Sequence, residues 1–284
     1  MAWRSGCRVA CLLLRRGLLL SAACLTTGAA WAADPVGHAG VSYELGLTHH
    51  DELYEEFDDD GSKFMQESAS MYGVKAVLRQ DFAQRRALKA SMTYAEGEAD
   101  YIGALQGGEY GELGLSGLSR ELFETALVYE QGAWAELGFW RGFVLHAGLG
   151  YRRLVDNLQD AGPSGYKRIN ERLYTILGVS YKFQLDEWEI VPTLDFRRSL
   201  WSEHVSELPL VGGGTYRLVH EQEGTGGEAS LMLVQRIGRY PLVIRPFYRW
   251  WEMDASNVVY IGTDGYIEPR NSTSEVGLDI SLRF

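Results

Sequence analysis

Aspartates and histidines are the residues of this chain that could do chemistry, since a carboxylate beside an imidazole can activate water or hold a metal ion. Asp58, Asp59 and Asp60 lie in a strongly acidic stretch, and His204 and His220 lie far along the chain. Neither histidine has an aspartate close to it in sequence. The His, Asp and Glu residues also lack a spacing typical of metal ligands.

The remaining motifs are no more specific. In His49-His50-Asp51, neighbours on a strand would point to opposite faces. The run DDDGS (58–62) begins like a calcium loop but lacks the distal glutamate. The Gly-rich stretch 103–119, which we expect to be a loop, has no Lys and no following helix, and no Ser–His pair near a lipid-facing rim is expected on one strand. We therefore assign no catalytic, cofactor-binding or metal-binding residue.

Ten segments of alternating apolar and polar residues must position these groups. A period of two indicates strands with one apolar and one polar face. The segments are 41–48, 72–79, 88–94, 123–130, 143–152, 173–183, 188–197, 228–233, 242–250 and 274–284.

Short turns and long polar connections alternate between these segments, which is typical of a transmembrane antiparallel up-and-down β-barrel of ten strands. A soluble sandwich would mix its turn lengths more freely. We expect solvated loops at 51–60 and at 199–226, the longest connection. Pro192 predicts a bulge or local distortion in the seventh strand. His146 faces the lumen in this register and is expected to be a hydrogen-bonded packing residue.

The N-terminus indicates export. Arg4, Arg8, Arg15 and Arg16 precede a short apolar run, and Ala30-Trp31-Ala32 follows, so 1–32 is expected to be a cleaved signal peptide and 33–284 a single barrel domain. All three cysteines lie in that segment, so no disulfide framework is expected. Removing four arginines takes the formal charge from −11 to −15, which argues against nucleic acid as a partner.

The last segment resembles the C-terminal strand of Gram-negative outer-membrane β-barrel proteins. The residues that carry this resemblance are Val276, Leu278, Ile280, Leu282 and Phe284. The resemblance implies a location in the cell outer membrane, contact with outer-membrane lipid, and recognition of the terminal aromatic by the barrel-assembly machinery. It implies no activity and no cofactor, since barrels of this size have many roles.

The polar faces of the ten segments predict a lumen that carries charges of both signs. The expected lumen charge network is Lys75, Arg79, Lys89, Glu124, Arg152, Lys182, Glu189, Asp195, Arg197, Glu228, Arg245, Arg249, Glu275, Asp279 and Arg283. Pairing across a narrow bore would plug it. We expect a non-enzymatic structural or surface-interaction protein whose outer loops bind an unidentified extracellular ligand. The alternatives are a narrow, porin-like solute channel and a surface hydrolase of the omptin or lipid-modifying type.

Deleting Phe284 should reduce insertion into the outer membrane and leave export intact, because the predicted assembly signal is lost and the predicted signal peptide is untouched. Membrane fractionation with heat-modifiable gel mobility measures the folded, inserted fraction. Phe284→Tyr, which keeps a terminal aromatic ring, is the matched control. Wild-type levels of folded barrel in the deletion variant would contradict the assignment.

Overall fold

The computed structural model describes residues 40–82, 85–103, 108–132, 138–162, 165–210 and 213–284. The expected signal peptide, 1–32, lies outside the described residues, as do all three cysteines, so its cleavage stays a prediction. Within the described part of the chain, no helix is long and apolar enough to cross a membrane.

The described chain is almost entirely strand, as the alternating pattern predicts. The strands are β1 (Val41–Phe57), β2 (Lys63–Phe82), β3 (Arg86–Gly103), β4 (Leu113–Gly132), β5 (Phe143–Asn157), β6 (Lys167–Tyr181), β7 (Phe183–Leu185), β8 (Trp188–Pro209), β9 (Thr215–Glu221), β10 (Gly224–Ile237), β11 (Tyr240–Met253), β12 (Val259–Ile261), β13 (Asp264–Tyr266) and β14 (Arg270–Arg283). Two short 3₁₀ turns, Gly138–Gly142 and Leu158–Ala161, flank β5.

Ten long antiparallel strands close into one barrel. They follow the order β10, β11, β14, β1, β2, β3, β4, β5, β6, β8, and β8 pairs with β10 to complete the circle. The last long strand meets the first, with Leu45 opposite Leu282 and Thr48 opposite Asp279. Closure leaves no unpaired strand edge, which is what a sheet in hydrocarbon requires. The predicted ten-stranded fold is therefore confirmed.

The two faces of each long strand differ as the period of two predicts. On β1 the side chain of Leu47 is 67% exposed, and that of the next residue, Thr48, is 4% exposed. On β14 Val276 is exposed and Glu275 is buried. Apolar side chains thus form a continuous outward band, which we call the membrane belt, and polar side chains line the lumen.

The strands continue well beyond the membrane belt. On β3 the outward row passes from Tyr94 to Glu96, Glu98 and Asp100 while the ladder to β4 continues. We call this upper part of the barrel, where outward residues are polar, the outer extension. The longest strand, β8, has 22 residues, about twice the 9–11 that a membrane needs, so about half of it stands outside the lipid.

The outer extension corrects three expected loops. Residues 51–57 belong to β1, and Glu52 and Glu56 point inward and are buried. The expected long loop at 199–226 is mostly a hairpin of β8 and β9. Part of the Gly-rich stretch 103–119 belongs to β4, which starts at Leu113. Charges that a solvated loop would expose are instead accommodated by opposite charges in the lumen.

Pro192 distorts its surroundings without a bulge. The pairing of β6 with β8 ends at Ser180 opposite Thr193, and β7 resumes it with Phe183 opposite Ile190 in the same register. The ladder therefore lapses opposite the residue that has no amide hydrogen to donate. On its other side Pro192 lies opposite Leu231 in a regular ladder with β10.

Leu231→Arg should destabilise the barrel by about 2–4 kcal/mol, because it places a charge on the lipid face near the middle of the membrane belt. Ser230→Arg is the matched control, since Ser230 lines the luminal cavity one residue away and should cost less. Urea unfolding in lipid vesicles measures both variants. Equal losses, or the reverse order, would contradict the assignment of the two faces.

Candidate functional site

Ion pairs form one continuous network through the lumen, from the membrane belt into the outer extension. Within the described residues it joins seven cations to eight carboxylates. The cations are Lys75, Arg120, Arg152, Arg168, Arg197, Arg245 and Arg249, and the carboxylates are Glu52, Glu56, Glu67, Glu124, Asp156, Glu228, Glu275 and Asp279. No single strand supplies both partners of these pairs, so barrel closure assembles the network.

Arg249 on β11 is the centre of the network. Its guanidinium lies 2.9 Å from Glu124, 2.9 Å from Glu228 and 2.8 Å from Glu275, three carboxylates on three other strands. Arg197 bridges two of the same groups, at 2.7 Å from Glu228 and 3.3 Å from Glu124. Planar guanidinium groups can serve several carboxylates at once, and here they cross the bore. All five side chains are buried.

Below this layer, toward the short turns, the lumen widens into a cavity of about 490 Å³. Asp279 lies on its wall, 2.6 Å from Lys75 and 2.7 Å from Arg245. Nearer the mouth, Glu130 pairs with Arg79 and with Lys89, the latter at 3.3 Å. The cavity wall thus carries charges that already have partners.

Three more contacts line this cavity or its rim. His146 Nε2 lies 2.5 Å from Asp195 Oδ1, which gives the lone luminal histidine a hydrogen-bond partner. Arg283 lies 2.6 Å from Glu44. Lys182 and Glu189 are 2.6 Å apart at the rim, where the lysine side chain is more than half exposed.

All fifteen residues of the expected lumen network point into the barrel or its lower rim. The structure does not join them all. The pairs Lys182–Glu189 and Arg283–Glu44, and the cluster of Arg79 and Lys89 around Glu130, stand apart from the continuous network. His146, treated as a packing residue, pairs with Asp195.

The outer extension holds the upper part of this network, which sequence reasoning missed. Arg120 contacts Glu52, lies 2.6 Å from Glu67 and is 2.7 Å from Asp156. Arg168 contacts Glu67 and lies 3.5 Å from Glu56. The period of two continues through residues 51–57, so strict counting past the first apolar row could have found Glu52 and Glu56.

Apolar side chains fill the space around these charges. Tyr54, Met65, Met71, Leu122 and Leu154 are buried in one cluster inside the outer extension. Their presence leaves the ion pairs poorly solvated. The interior of the outer extension is thus packed like a protein core and is not a water-filled channel.

Burial and pairing shift the carboxylates of the outer extension in opposite directions. Burial is the largest influence on the pKa of Asp156 and raises it to about 6, although Arg120 works against this. Burial would also raise the pKa of Glu67, but Arg168 and Arg120 beside it lower that pKa overall. Glu67 is therefore ionised at neutral pH. Asp156 gains or loses its proton at a pH close to neutral.

A polar cluster closes the outer mouth beside β8 and β9. His204 and His220 lie opposite each other on these strands and are buried. Nε2 of His204 is 3.3 Å from Ser206 Oγ, and its Nδ1 is 3.2 Å from Glu268 Oε1. His204 and Ser206 therefore share β8, whereas the expectation from the sequence concerned a Ser–His pair near a lipid-facing rim. The pair faces inward rather than toward lipid, and burial lowers the pKa of His204 well below its usual value.

The aspartates of the first loop do not reach these histidines. Asp58 and Asp60 lie in an exposed tight turn, where the Ser62 hydroxyl donates to Asp60 at 2.7 Å. His50 points into the lumen, whereas His49 and Asp51 point outward. Among the described residues, no group of His, Cys, Asp and Glu is arranged to hold a metal ion.

Two carboxyl groups lie together at the outer mouth, that of Glu56, which is buried, and that of Glu268, which is half-buried. Glu268 comes from the segment between β11 and β14, and its carboxyl group is close enough to that of Glu56 of β1 for the two charges to interact. Burial, and then the charge of Glu56, raise the pKa of Glu268 well above its usual value. Burial likewise raises the pKa of Glu56 despite Arg168. The contact is stable only when at least one of the two carries a proton.

Comparison with solved structures finds this architecture in the outer-membrane protease OmpT from Escherichia coli, with a TM-score of 0.55 and 12% identity over 86% of this chain and 96% of that chain. The fold is that of an outer-membrane β-barrel. The β-domain of the Bordetella autotransporter BrkA gives a TM-score of 0.40 with 12% identity, over 85% of this chain and 99% of that one. Neisserial surface protein A gives 0.36 with 10% identity, over 86% and 99%.

No protein-family model matches the chain, and no curated protein matches its sequence. At 12% identity the likeness to OmpT shows a shared fold alone. The role of this barrel must therefore be argued from its own side chains.

Glu268→Gln should raise stability at pH 8 and change it little at pH 4. A carboxyl whose pKa is raised by folding favours the folded state below its unfolded pKa of about 4.3, and this contribution is lost as pH rises through the folded pKa. Glutamine mimics the neutral acid at every pH. Urea unfolding between pH 4 and pH 8 measures the difference.

The matched control is Glu252→Gln, on the exposed outer face of β11, which should leave the pH profile unchanged. An equal fall in the free energy of unfolding with pH in wild type and Glu268→Gln would show that the carboxyl pair does not carry a shared proton.

Proposed function

We propose that this protein is an integral barrel of the Gram-negative outer membrane that does not conduct. Its role is structural or interactive, through the surface of its outer extension and the connections at its outer end. The observation that carries this proposal is the ion-pair network that crosses the bore at Arg249 and continues upward through Arg120.

The membrane belt supports the location. Exposed apolar side chains such as Leu47, Leu149, Leu177 and Leu278 surround the barrel at one level, and in water such a band would be a large aggregation-prone surface. Lipid is the partner that fits it. Export by the predicted signal peptide and insertion through the assembly machinery complete this proposal.

A pore is disfavoured by the central layer of charges. Arg249 and Arg197 reach across the lumen to carboxylates on other strands, so an ion passing this level would have to displace a buried pair. Removing one partner of a buried pair typically costs about 3–5 kcal/mol. Both signs are present in comparable number, whereas a selective pore favours one sign. The cavity below this layer opens only toward the short turns.

The shape of the outer extension supports a role at the cell surface. Its strands hold a rigid wall of outward acidic side chains above the membrane belt, including Glu96, Glu98 and Glu121. Binding residues on rigid scaffolds are common on such exposed rims. The expected ligand is bound from the extracellular side and remains chemically unassigned.

A surface hydrolase is the second candidate, because His204 lies between Ser206 and Glu268 in the order of a nucleophile, base and orienting acid. Three features oppose it. Ser206 and His204 are buried, burial raises the pKa of Glu268 well above its usual value and so favours its uncharged form, and burial lowers the pKa of His204, which weakens it as a base.

Purified wild-type barrel in planar lipid bilayers should show no stable ohmic single-channel steps, because the network occupies the bore. The double variant Arg197→Ser, Arg249→Ser removes the side chains that cross it and should introduce small, steady conductance steps. Heat-modifiable gel mobility checks that both proteins are folded. Stable steps from the wild type would overturn the non-conducting proposal and favour a narrow solute channel.

A further inference from the structure

Arg172 on β6 is a buried cation that the luminal network leaves out. It is 7% exposed, and among the described residues no carboxylate lies within ion-pair distance of it. Its guanidinium lies over the ring of Trp251, 4.6 Å from the ring centre. Stacking on an aromatic face offsets part of the cost of burying a cation, but a ring accepts no N–H hydrogen bond of ordinary strength.

A second arginine lies directly beside it. Arg152 on β5 is the cross-strand partner of Arg172, and side chains so paired start about 4.5–5.5 Å apart. Arg152 uses Nη2 to bind Glu275 at 2.5 Å and Glu52 at 3.0 Å. Its Nη1 is buried and has no hydrogen-bond partner among the described residues. In each of these two adjacent guanidinium groups, one nitrogen therefore has no hydrogen-bond partner among the described residues.

The third unsatisfied donor belongs to Trp251. Its indole Nε1 is buried without an acceptor within the described part of the chain, as is Nη1 of Arg172. All three side chains are more than nine-tenths buried. On the neighbouring strand β8, Ser202 lies opposite Arg172, is buried and adds a hydroxyl group. Unsatisfied donors thus come from β5, β6 and β11, and the nearby acceptor Glu275 Oε1, which makes no hydrogen bond within the described residues, is already ion-paired with Arg152 at 2.5 Å.

Such a set of groups selects for an acceptor that carries negative charge. A buried N–H without a partner costs about 1–3 kcal/mol, and more when it is charged. Two adjacent cations repel each other, and a negative ion between them relieves that repulsion. The two nearest carboxylates, Glu275 and Glu52, are already bound to Arg152.

We propose that Arg152, Arg172 and Trp251 form a binding site for one small inorganic anion of the size of chloride. The anion accepts hydrogen bonds from the free N–H groups of the three side chains, and its negative charge compensates the positive charge of Arg172. The ring of Tyr174 packs edge-on against Trp251, with the two ring centres 5.1 Å apart, and this packing favours a small anion over a larger carboxylate. The site would make barrel stability depend on the identity of the anion, beyond general screening.

Thermal unfolding of the purified full-length barrel in detergent tests this site. Sodium chloride, sodium bromide and sodium gluconate are compared at equal ionic strength, with heat-modifiable mobility as the readout. Chloride and bromide should raise the midpoint by about 2–4 °C over gluconate. In Arg172→Met, which keeps a long apolar stem against Trp251, the three salts should give the same midpoint.

Arg153→Met is the matched control, because Arg153 is the neighbour of Arg152 that points outward and pairs with Glu171 at 3.3 Å. It should keep the full anion dependence. Equal midpoints in all three salts for the wild type would mean that water fills the site and would overturn the proposal. Anion dependence that persists in Arg172→Met would also overturn it.

A direct measurement covers the case in which Arg172→Met does not fold. Crystals of the wild-type barrel grown with bromide should show an anomalous peak between the guanidinium groups of Arg152 and Arg172. Absence of a peak there at saturating bromide would refute the site.

Discussion

Arginine–carboxylate pairing inside a closed barrel is the interaction on which the rest of this structure depends. A barrel in lipid faces outward with apolar groups, so every charge in the transmembrane strands must point inward. Ten strands give a bore only modestly wider than one that side chains fill. Charges confined there are poorly solvated and must find partners across the lumen. Arg249 is an example of such pairing, since its one guanidinium group contacts carboxylates from three other strands.

The same constraint explains how the barrel can rise above the membrane. Beyond the membrane belt the outward face becomes polar. The inward face continues to carry arginine–carboxylate ion pairs and adds an apolar cluster around Met71 and Leu122. Water outside replaces lipid, but the interior scarcely changes. Arg120 and Arg168 continue the network upward. The wall of the barrel itself therefore continues above the membrane belt.

The sequence predicts the faces of the strands better than their ends. Dyad alternation places Lys75, Glu228 and Asp279 inside, because a period of two fixes direction once one apolar row is known. The alternation continues through residues 51–57, but the acidic composition of that stretch suggests a loop, and residues 199–209 are also expected to be loop although they belong to β8. An acidic composition shows that the carboxylates must be either solvated or paired. The partners that pair with them are brought close only by the folded barrel. Arg120, 68 positions from Glu52 along the chain, could not be assigned to it by local reasoning.

Charge pairing across the bore also limits which activities the scaffold can support. Pairs that fill the central lumen oppose conduction, so chemistry or recognition must lie at the outer end or in the cavity below the network. At the outer end, burial raises the pKa of Glu56 and of Glu268 and lowers the pKa of His204. Burial therefore favours the uncharged form of all three groups, although Arg168 lies 3.5 Å from Glu56. Arg172 is the opposite case, a charge retained without a partner, and it is there that the lumen is best suited to take up a small anion.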